Sequence, residues 1–113
     1  MGVVKMDKKE TAKNKRLMLN YGITLFDWQD MYENQERVCW ICKAMPKNNV
    51  LCVDHIHIKG YKKLLPEEKK KYVRALLCFQ CNTAFGRLER RKTPRKLLEN
   101  IIRYFNTFAM KGD

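Results

Sequence analysis

The sequence predicts a small α+β domain held by a tetrahedral metal knuckle, and three observations carry that prediction. The chain has 113 residues, a length at which one domain forms around a modest core. Two Cys-x-x-Cys pairs, Cys39-Trp-Ile-Cys42 and Cys78-Phe-Gln-Cys81, frame its middle. Short apolar, β-branched runs stand between segments of helical periodicity, with no internal repeat and no low-complexity tract.

Charge points to a partner. Lysine and arginine number 24 against 12 acidic residues, a net charge of +12 and a pI near 9.7. Charge speaks for partners rather than fold, and a polyanion is the partner it selects over a merely soluble basic surface. Five cysteines cannot all pair within the chain. No apolar h-region follows the first lysines, and no run approaches the length of a membrane span. The expectation is an intracellular, cytoplasmic chain without membrane contact, in a compartment where paired Cys-x-x-Cys means metal or redox chemistry.

Residues 1–20 read as a basic arm, with Lys5, Lys8, Lys9, Lys13, Lys15 and Arg16. Its first few residues are expected to be disordered, and a helix to develop toward Leu17 and Leu19 until Gly22 stops it. Such an arm is either a solvated tail or a phosphate-binding one. Thr24 followed by Asp27 is a capping-box signal, and Leu25, Trp28, Met31 and Tyr32 fall at helical spacing, so 25–36 is an amphipathic helix. Its acids, Asp27, Asp30, Glu33 and Glu36, lie off that stripe. After the Cys39–Cys42 knuckle, Met45 to Asn49 has loop composition, and Val50 to Val53 reads as a buried strand. Gly60 marks a turn. Pro66-Glu67-Glu68 resembles a helix start, continued by an exposed basic insert at Lys69 to Lys71. Tyr72 to Leu77 reads as a second strand, and a helix runs from Cys81 through Arg91. Thr93 caps a last helix whose Leu97, Leu98, Ile101, Ile102, Phe105 and Phe108 form one wide apolar face. That face is expected to pack on its own core, with a dimer contact as the sharper alternative. The organisation is then an arm (1–20), a core (21–92) and a C-terminal amphipathic helix (93–113).

Two thiolates in a tight turn present both sulfurs to one ion, and two such pairs complete a tetrahedral shell. Cys39, Cys42, Cys78 and Cys81 would leave no open position, so the predicted ion is one structural Zn2+. A redox pair or unbound thiols explain neither the second pair nor how so small a basic chain holds together. Cys52, inside an apolar run, is expected as a buried core thiol.

Asp54, His55 and His57 follow the first strand directly, and these are the chain's 2 histidines. On a regular strand the histidines share one face and Asp54 the other, so the strand must end or bulge near Asp54 if all three meet. The chemistry this suits is phosphodiester hydrolysis. Asp54 supplies a hard oxygen for a divalent ion, and a neutral imidazole takes a proton from water. A second zinc on His55, His57 and Asp54 and a pair of buried, hydrogen-bonded histidines are the alternatives.

Cys39-x-x-Cys42, then Val53-Asp54-His55-x-His57 and Gly60, then Val73-Arg74-Ala75-Leu76-Leu77-Cys78-x-x-Cys81-Asn82 with Gly86, resembles the phage recombination endonuclease VII family. That family belongs to the His-Me finger (HNH, ββα-metal) nucleases. The lead-in Tyr21-Gly22-Ile23-Thr24 and its aromatic-containing helix are similar too, and the likeness covers roughly residues 21–88. It implies a zinc-stabilised ββα-metal core with flanking helices, and DNA cleavage leaving 5′-phosphate and 3′-hydroxyl ends. It also implies a catalytic Mg2+ or Mn2+ held by Asp54 and Asn82, with His55 as general base and His57 at the scissile phosphate. Some members carry a glutamate where this chain has Phe85, and the segment between His57 and Val73 is longer and lysine-rich here. Members that resolve branched DNA dimerise through helical C-terminal regions, so the chain is expected as a monomer or as a homodimer through its C-terminal helix.

The reading that joins these observations is a DNA endonuclease of a bacterial or phage-infected cell, with a non-catalytic zinc-stabilised nucleic-acid-binding module as the alternative. Lys59, Lys62, Lys63, Lys69, Lys70, Lys71, Arg87, Arg90, Arg91, Lys92, Arg95 and Lys96 flank the site and are placed to grip a phosphate backbone. Phosphate contacts give affinity without sequence choice, so weak specificity and steep salt dependence follow.

Overall fold

The computed structural model describes residues 5–108, so the expected disorder of the first residues and the end of the last helix, 109–113, lie outside it. Helix α1 (Lys8–Tyr21) opens with Asp7 and Glu10 in a reciprocal capping box, and Gly22 closes it in the left-handed conformation (φ 71°). Leu17 of α1 is buried, so the basic segment contributes to the core; Lys8, Lys9 and Lys15 stay exposed, while Lys13 is half-buried with its Nζ 3.7 Å from the Trp28 ring centroid.

Helix α2 (Leu25–Asn34) begins with the predicted box. Asp27 N–H donates to Thr24 Oγ1 (3.0 Å), and Thr24 N–H donates to Asp27 Oδ2 (2.9 Å). Leu25 N–H also donates to Asn14 Oδ1 (2.7 Å), tying the start of α2 to α1. The helix stops two residues short of its expected end, because Glu36 and Arg37 take positive φ angles (56° and 62°) that no helix can hold.

Strand β1 (Cys52–His55) starts later than the apolar run predicts. Val50 is exposed, whereas Leu51 and Val53 are buried. Cys52 is only half-buried, not the core thiol expected, because a strand buries alternate residues and Val53 takes the inner face. Helix α3 (Pro66–Lys69) is one turn with Pro at its start. Strand β2 (Val73–Leu77) pairs antiparallel with β1 in a two-stranded sheet. Cys52 stands opposite Leu77 and Val53 opposite Leu76, but His55 stands opposite Val73. Arg74 and Ala75 therefore share the place opposite Asp54, a bulge carried by β2, while β1 itself ends at His55, before His57.

Helix α4 (Phe79–Glu89) follows β2 directly and packs against both strands. The core gathers Leu17, Ile23, Leu25, Trp28, Leu51, Val53, Leu76 and Leu77, with Leu76 and Cys39 fully enclosed. Each such side chain stabilises the fold by about 1.5–3 kcal/mol on burial.

Two further expectations fail. Lys69 is not exposed on a basic insert: it is buried, and its Nζ donates to Leu19 O (2.8 Å) at the C-terminal end of α1. A cation satisfying an orphan carbonyl at a helix C-terminus explains that placement. Helix α5 (Pro94–Phe108) does not fold its apolar face onto the core. Leu98, Ile101, Ile102, Phe105 and Phe108 are all exposed and Leu97 is half-buried, with α4 the element that α5 chiefly contacts.

Candidate functional site

The four cysteines converge. The sulfurs of Cys39, Cys42, Cys78 and Cys81 all lie within 4.8 Å of one another, and Cys42 and Cys78 are 3.9 Å apart. Tetrahedral zinc with bonds of about 2.3 Å sets sulfurs about 3.8 Å apart, so the cluster fits a structural zinc ion. The electrostatics agree. Burial raises the Cys39 thiol, but N–H groups of Cys78, Cys42 and Ile41 overcome it and bring its pKa to about 6, while burial and the neighbouring sulfurs push Cys81 up. Sulfurs this close cannot all ionise without a cation between them. Among the described residues this is the one group of three or more His, Cys, Asp or Glu side chains whose ligand atoms converge; His55, His57 and Asp54 are not gathered in that way.

The clamp fixes the neighbouring chain. Cys78 caps α4, with its Sγ accepting from Cys81 N–H (3.4 Å) and its carbonyl from Asn82 N–H (2.9 Å). On the other knuckle, Trp40 N–H donates to Leu76 O (3.2 Å), which ties it to β2. Gln35 completes the join: its Oε1 accepts from Leu76 N–H (2.8 Å), and its Nε2 donates to Leu76 O (2.9 Å) and Val38 O (3.0 Å).

Beside the clamp is a polar cavity of about 430 Å3, lined by Asp54, His55, His57 and Asn82 together with Tyr21, Arg87 and Arg90. Sequence elements far apart thus reach one space: the end of β1, the loop after it and the first turns of α4. The His55 ring stacks on Tyr61 (centroids 4.1 Å apart, 9° between planes) and lies 4.6 Å from the His57 ring. Its Nδ1 is 3.1 Å from Ile56 O, a contact that places the proton on Nδ1 and leaves Nε2 as an acceptor. Burial raises the Tyr21 and Tyr61 hydroxyls, so both remain protonated donors, and Tyr61 Oη donates to Asn20 O (2.8 Å). A second cavity of about 590 Å3 opens on the other side of His55 and His57 and is lined by Tyr61, Lys62 and Lys63.

Asp54 is not bare. It is 6 % exposed and accepts from Arg74 through both oxygens, Nε to Oδ2 at 2.7 Å and Nη2 to Oδ1 at 3.0 Å. Arg74 also donates to Glu89, Nη1 to Oε2 at 2.8 Å and Nη2 to Oε1 at 2.9 Å, and to His55 O at 3.0 Å. The Glu89 bonds chiefly, and then Asp54, raise the guanidinium above its ordinary pKa against the opposing effect of burial. Residue-type reasoning missed both partners. A lone arginine inside the apolar run Val73–Leu77 is itself a signal, since a half-buried charge in a strand needs a counter-charge. Tyr61 had no such signal; only the left-handed Gly60 turn brings it onto His55.

Of the predicted basic residues, Arg87 and Arg90 reach the site cavity and Lys62 and Lys63 the adjoining one. Lys59, Lys70, Lys71, Arg91, Lys92, Arg95 and Lys96 are exposed but line neither cavity, with Lys70 3.8 Å from Asp27 and Lys96 3.8 Å from Glu99. Lys69 lines the second cavity too, but its ammonium is committed to Leu19 O. Among the described residues no helix is long and apolar enough to cross a membrane.

A two-stranded antiparallel sheet and a following helix, pinned by a four-cysteine cluster, make the ββα-metal core of a His-Me finger-type nuclease family. The chain belongs to the recombination endonuclease VII family, whose model matches residues 14–107. It is similar to the Gene 59 protein of Mycobacterium phage D29, 35% identical over 79 residues that make up 69% of this chain and 41% of the relative. The Gene 59 protein of Mycobacterium phage L5 is 36% identical over 76 residues, 66% of this chain and 40% of that one. The chain spans about two fifths of the length of these curated relatives. No solved structure matches it.

Proposed function

We propose that the chain is a divalent-metal-dependent DNA endonuclease that hydrolyses phosphodiester bonds to 5′-phosphate and 3′-hydroxyl ends with weak sequence specificity. The observation that carries this reading is the single polar cavity shared by Asp54, His55, His57 and Asn82, with Arg87 and Arg90 at its wall. Family membership supports it.

The residues fit a hard cation. Asp54 and Asn82 offer oxygen ligands to the same space, and each Asp54 oxygen keeps a lone pair beyond the one Arg74 uses. A bound Mg2+ or Mn2+ supplies charge stabilisation to phosphate oxygens. His55 takes a proton from water at Nε2, its tautomer held by Ile56 O and its plane by Tyr61. His57, exposed beside it, reaches the scissile phosphate, and Asn82 sits in the first turn of α4, where backbone N–H groups favour an anion. Arg87 and Arg90 draw the strand into the cavity, with Lys62 and Lys63 beyond it.

Plasmid incubated with magnesium tests the reading. Wild-type chain should nick it, and His55→Ala should bind DNA as before but leave the plasmid supercoiled. Full cleavage by His55→Ala, free of contaminating nuclease, would sink the assignment. One observation favours a non-catalytic DNA-binding module instead, namely that both Asp54 oxygens already accept from Arg74. A wild-type chain that binds DNA and cuts under no divalent ion would establish that alternative. The exposed apolar face of α5 supports a homodimer through that helix over a monomer, to be read from the mass in solution. Four-way junction, flap and linear duplex cut side by side would define the DNA structure preferred.

A further inference from the structure

We infer that Glu89 is a positioning carboxylate of the ion site, acting through Arg74: it cancels the arginine's charge, so that the buried Asp54 keeps a net attraction for a divalent cation. The inference rests on the proposed metal-dependent reading. Arg74 presents two adjacent edges of its planar guanidinium to two carboxylates. The Nε–Nη2 edge meets Asp54, and the Nη1–Nη2 edge meets Glu89. Phe85 lies beneath the guanidinium, with Cζ 4.9 Å from the ring centroid. The plane of Arg74 is thus set from three sides, and with it the orientation of the Asp54 carboxylate.

Charge counting gives Glu89 its purpose. Asp54 and Arg74 alone make a neutral pair, and a neutral buried pair has little to offer a cation. Adding Glu89 returns the cluster to a net charge of −1. Arg74 holds the Glu89 carboxyl below the ordinary carboxylate range, so this charge is present at neutral pH. Helix geometry puts it in reach, because Asn82, Gly86 and Glu89 follow one another at spacings of four and three and share one face of α4. One helix therefore carries an amide ligand at its start and the counter-charge at its end. Phe85 occupies the position where some relatives hold a glutamate. Here the aromatic ring supports the arginine, and the second acid enters one turn later by way of that arginine.

Manganese binding to the zinc-loaded chain, followed by electron paramagnetic resonance or calorimetry, tests this, with plasmid cleavage measured against manganese concentration. Glu89→Gln should weaken Mn2+ binding about 10–100-fold, the range for groups that support a ligand from outside the shell. Raising manganese should recover its cleavage, so the loss falls on metal affinity. Arg74→Gln combined with Glu89→Gln restores a charge of −1 and should bind Mn2+ more tightly than Glu89→Gln alone, whereas a merely structural role would make the double variant worse. Zinc content and urea midpoint verify folding, and should the double variant fail to fold, Glu89→Gln alone decides. Mn2+ affinity of Glu89→Gln within about twofold of wild type would overturn the inference, as would a folded double variant no tighter than the single. Asp54→Asn separates the two readings. If wild type shows no saturable Mn2+ binding, or Asp54→Asn keeps it, the proposed ion site falls and this inference with it. If Asp54→Asn loses binding while Glu89→Gln does not, the inference alone falls.

Discussion

Gly22→Ala should cost this fold far more than Gly60→Ala, although both glycines are left-handed. Gly22 has φ 71° and Gly60 φ 79°, so alanine at either meets the same backbone penalty of about 1–2 kcal/mol. Their surroundings differ. A Cβ at Gly22 would lie 1.8 Å from Pro66 O and 2.7 Å from Pro66 C, whereas nothing stands within 4 Å of one at Gly60. Backbone atoms cannot swing aside as a side chain would, so α3 must retreat from α1 by roughly 1 Å or more to restore an ordinary contact. That retreat pulls on the Lys69 bond to Leu19 O, which spans the same seam. Overpacking of this kind adds about 1–3 kcal/mol. Gly22→Ala should therefore lose about 2–5 kcal/mol and Gly60→Ala about 1–2. Urea unfolding of the zinc-saturated variants measures both. Losses equal within about 0.5 kcal/mol would refute the reasoning, since the steric part would then be absent.

Replacing Gln35 with Leu leaves the buried Leu76 N–H without its acceptor, and the chain should lose about 1–3 kcal/mol by the same urea measurement. Stripping zinc with a chelator, or Cys81→Ser, should abolish cooperative unfolding and expose the first turn of α4 to hydrogen exchange; a zinc-free chain that melts like the loaded one would contradict the clamp. Glu89 predicts a pH dependence. Its carboxyl is depressed below the ordinary 4.5, chiefly by the Arg74 hydrogen bonds, so its contribution is fully present above that value and lost as pH falls through the folded one. Glu89→Gln should flatten that acid limb of the stability profile, and an unchanged limb would show that the carboxylate contributes nothing there.

Much of this architecture was readable because it is local. Thr24 and Asp27 satisfy each other across one turn, Pro66 opens a helix, Gly22 ends one, and Cys-x-x-Cys spacing is a geometric instruction. The end of β1 at His55, before His57, is what side-chain alternation asked for. What stayed hidden depends on pairs distant in the chain. Val50 is as apolar as Val53, but the two stand an odd number of residues apart and face opposite ways, and the run itself does not say which side the core takes. Lys69 reads as one lysine among three until the α1 carbonyls come to lie over it. The apolar stripe on α5 specifies that something must cover it, and nothing local says the core will. Arg74 and Glu89 are separated by the whole Cys78–Cys81 knuckle, and their meeting depends on how α4 leaves the sheet.

The Gln35 amide has a consequence beyond holding α2 to the sheet. A sheet of two strands has two open margins, and a free row of N–H and C=O groups is a template on which another chain can pair. At Leu76 that template is used up. A side-chain amide presents the donor and acceptor that a third strand would have brought, and Trp40 N–H takes the same carbonyl from the knuckle side. The imitation ends after one residue, so it occupies the margin at Leu76, in the buried end of β2, without extending the sheet.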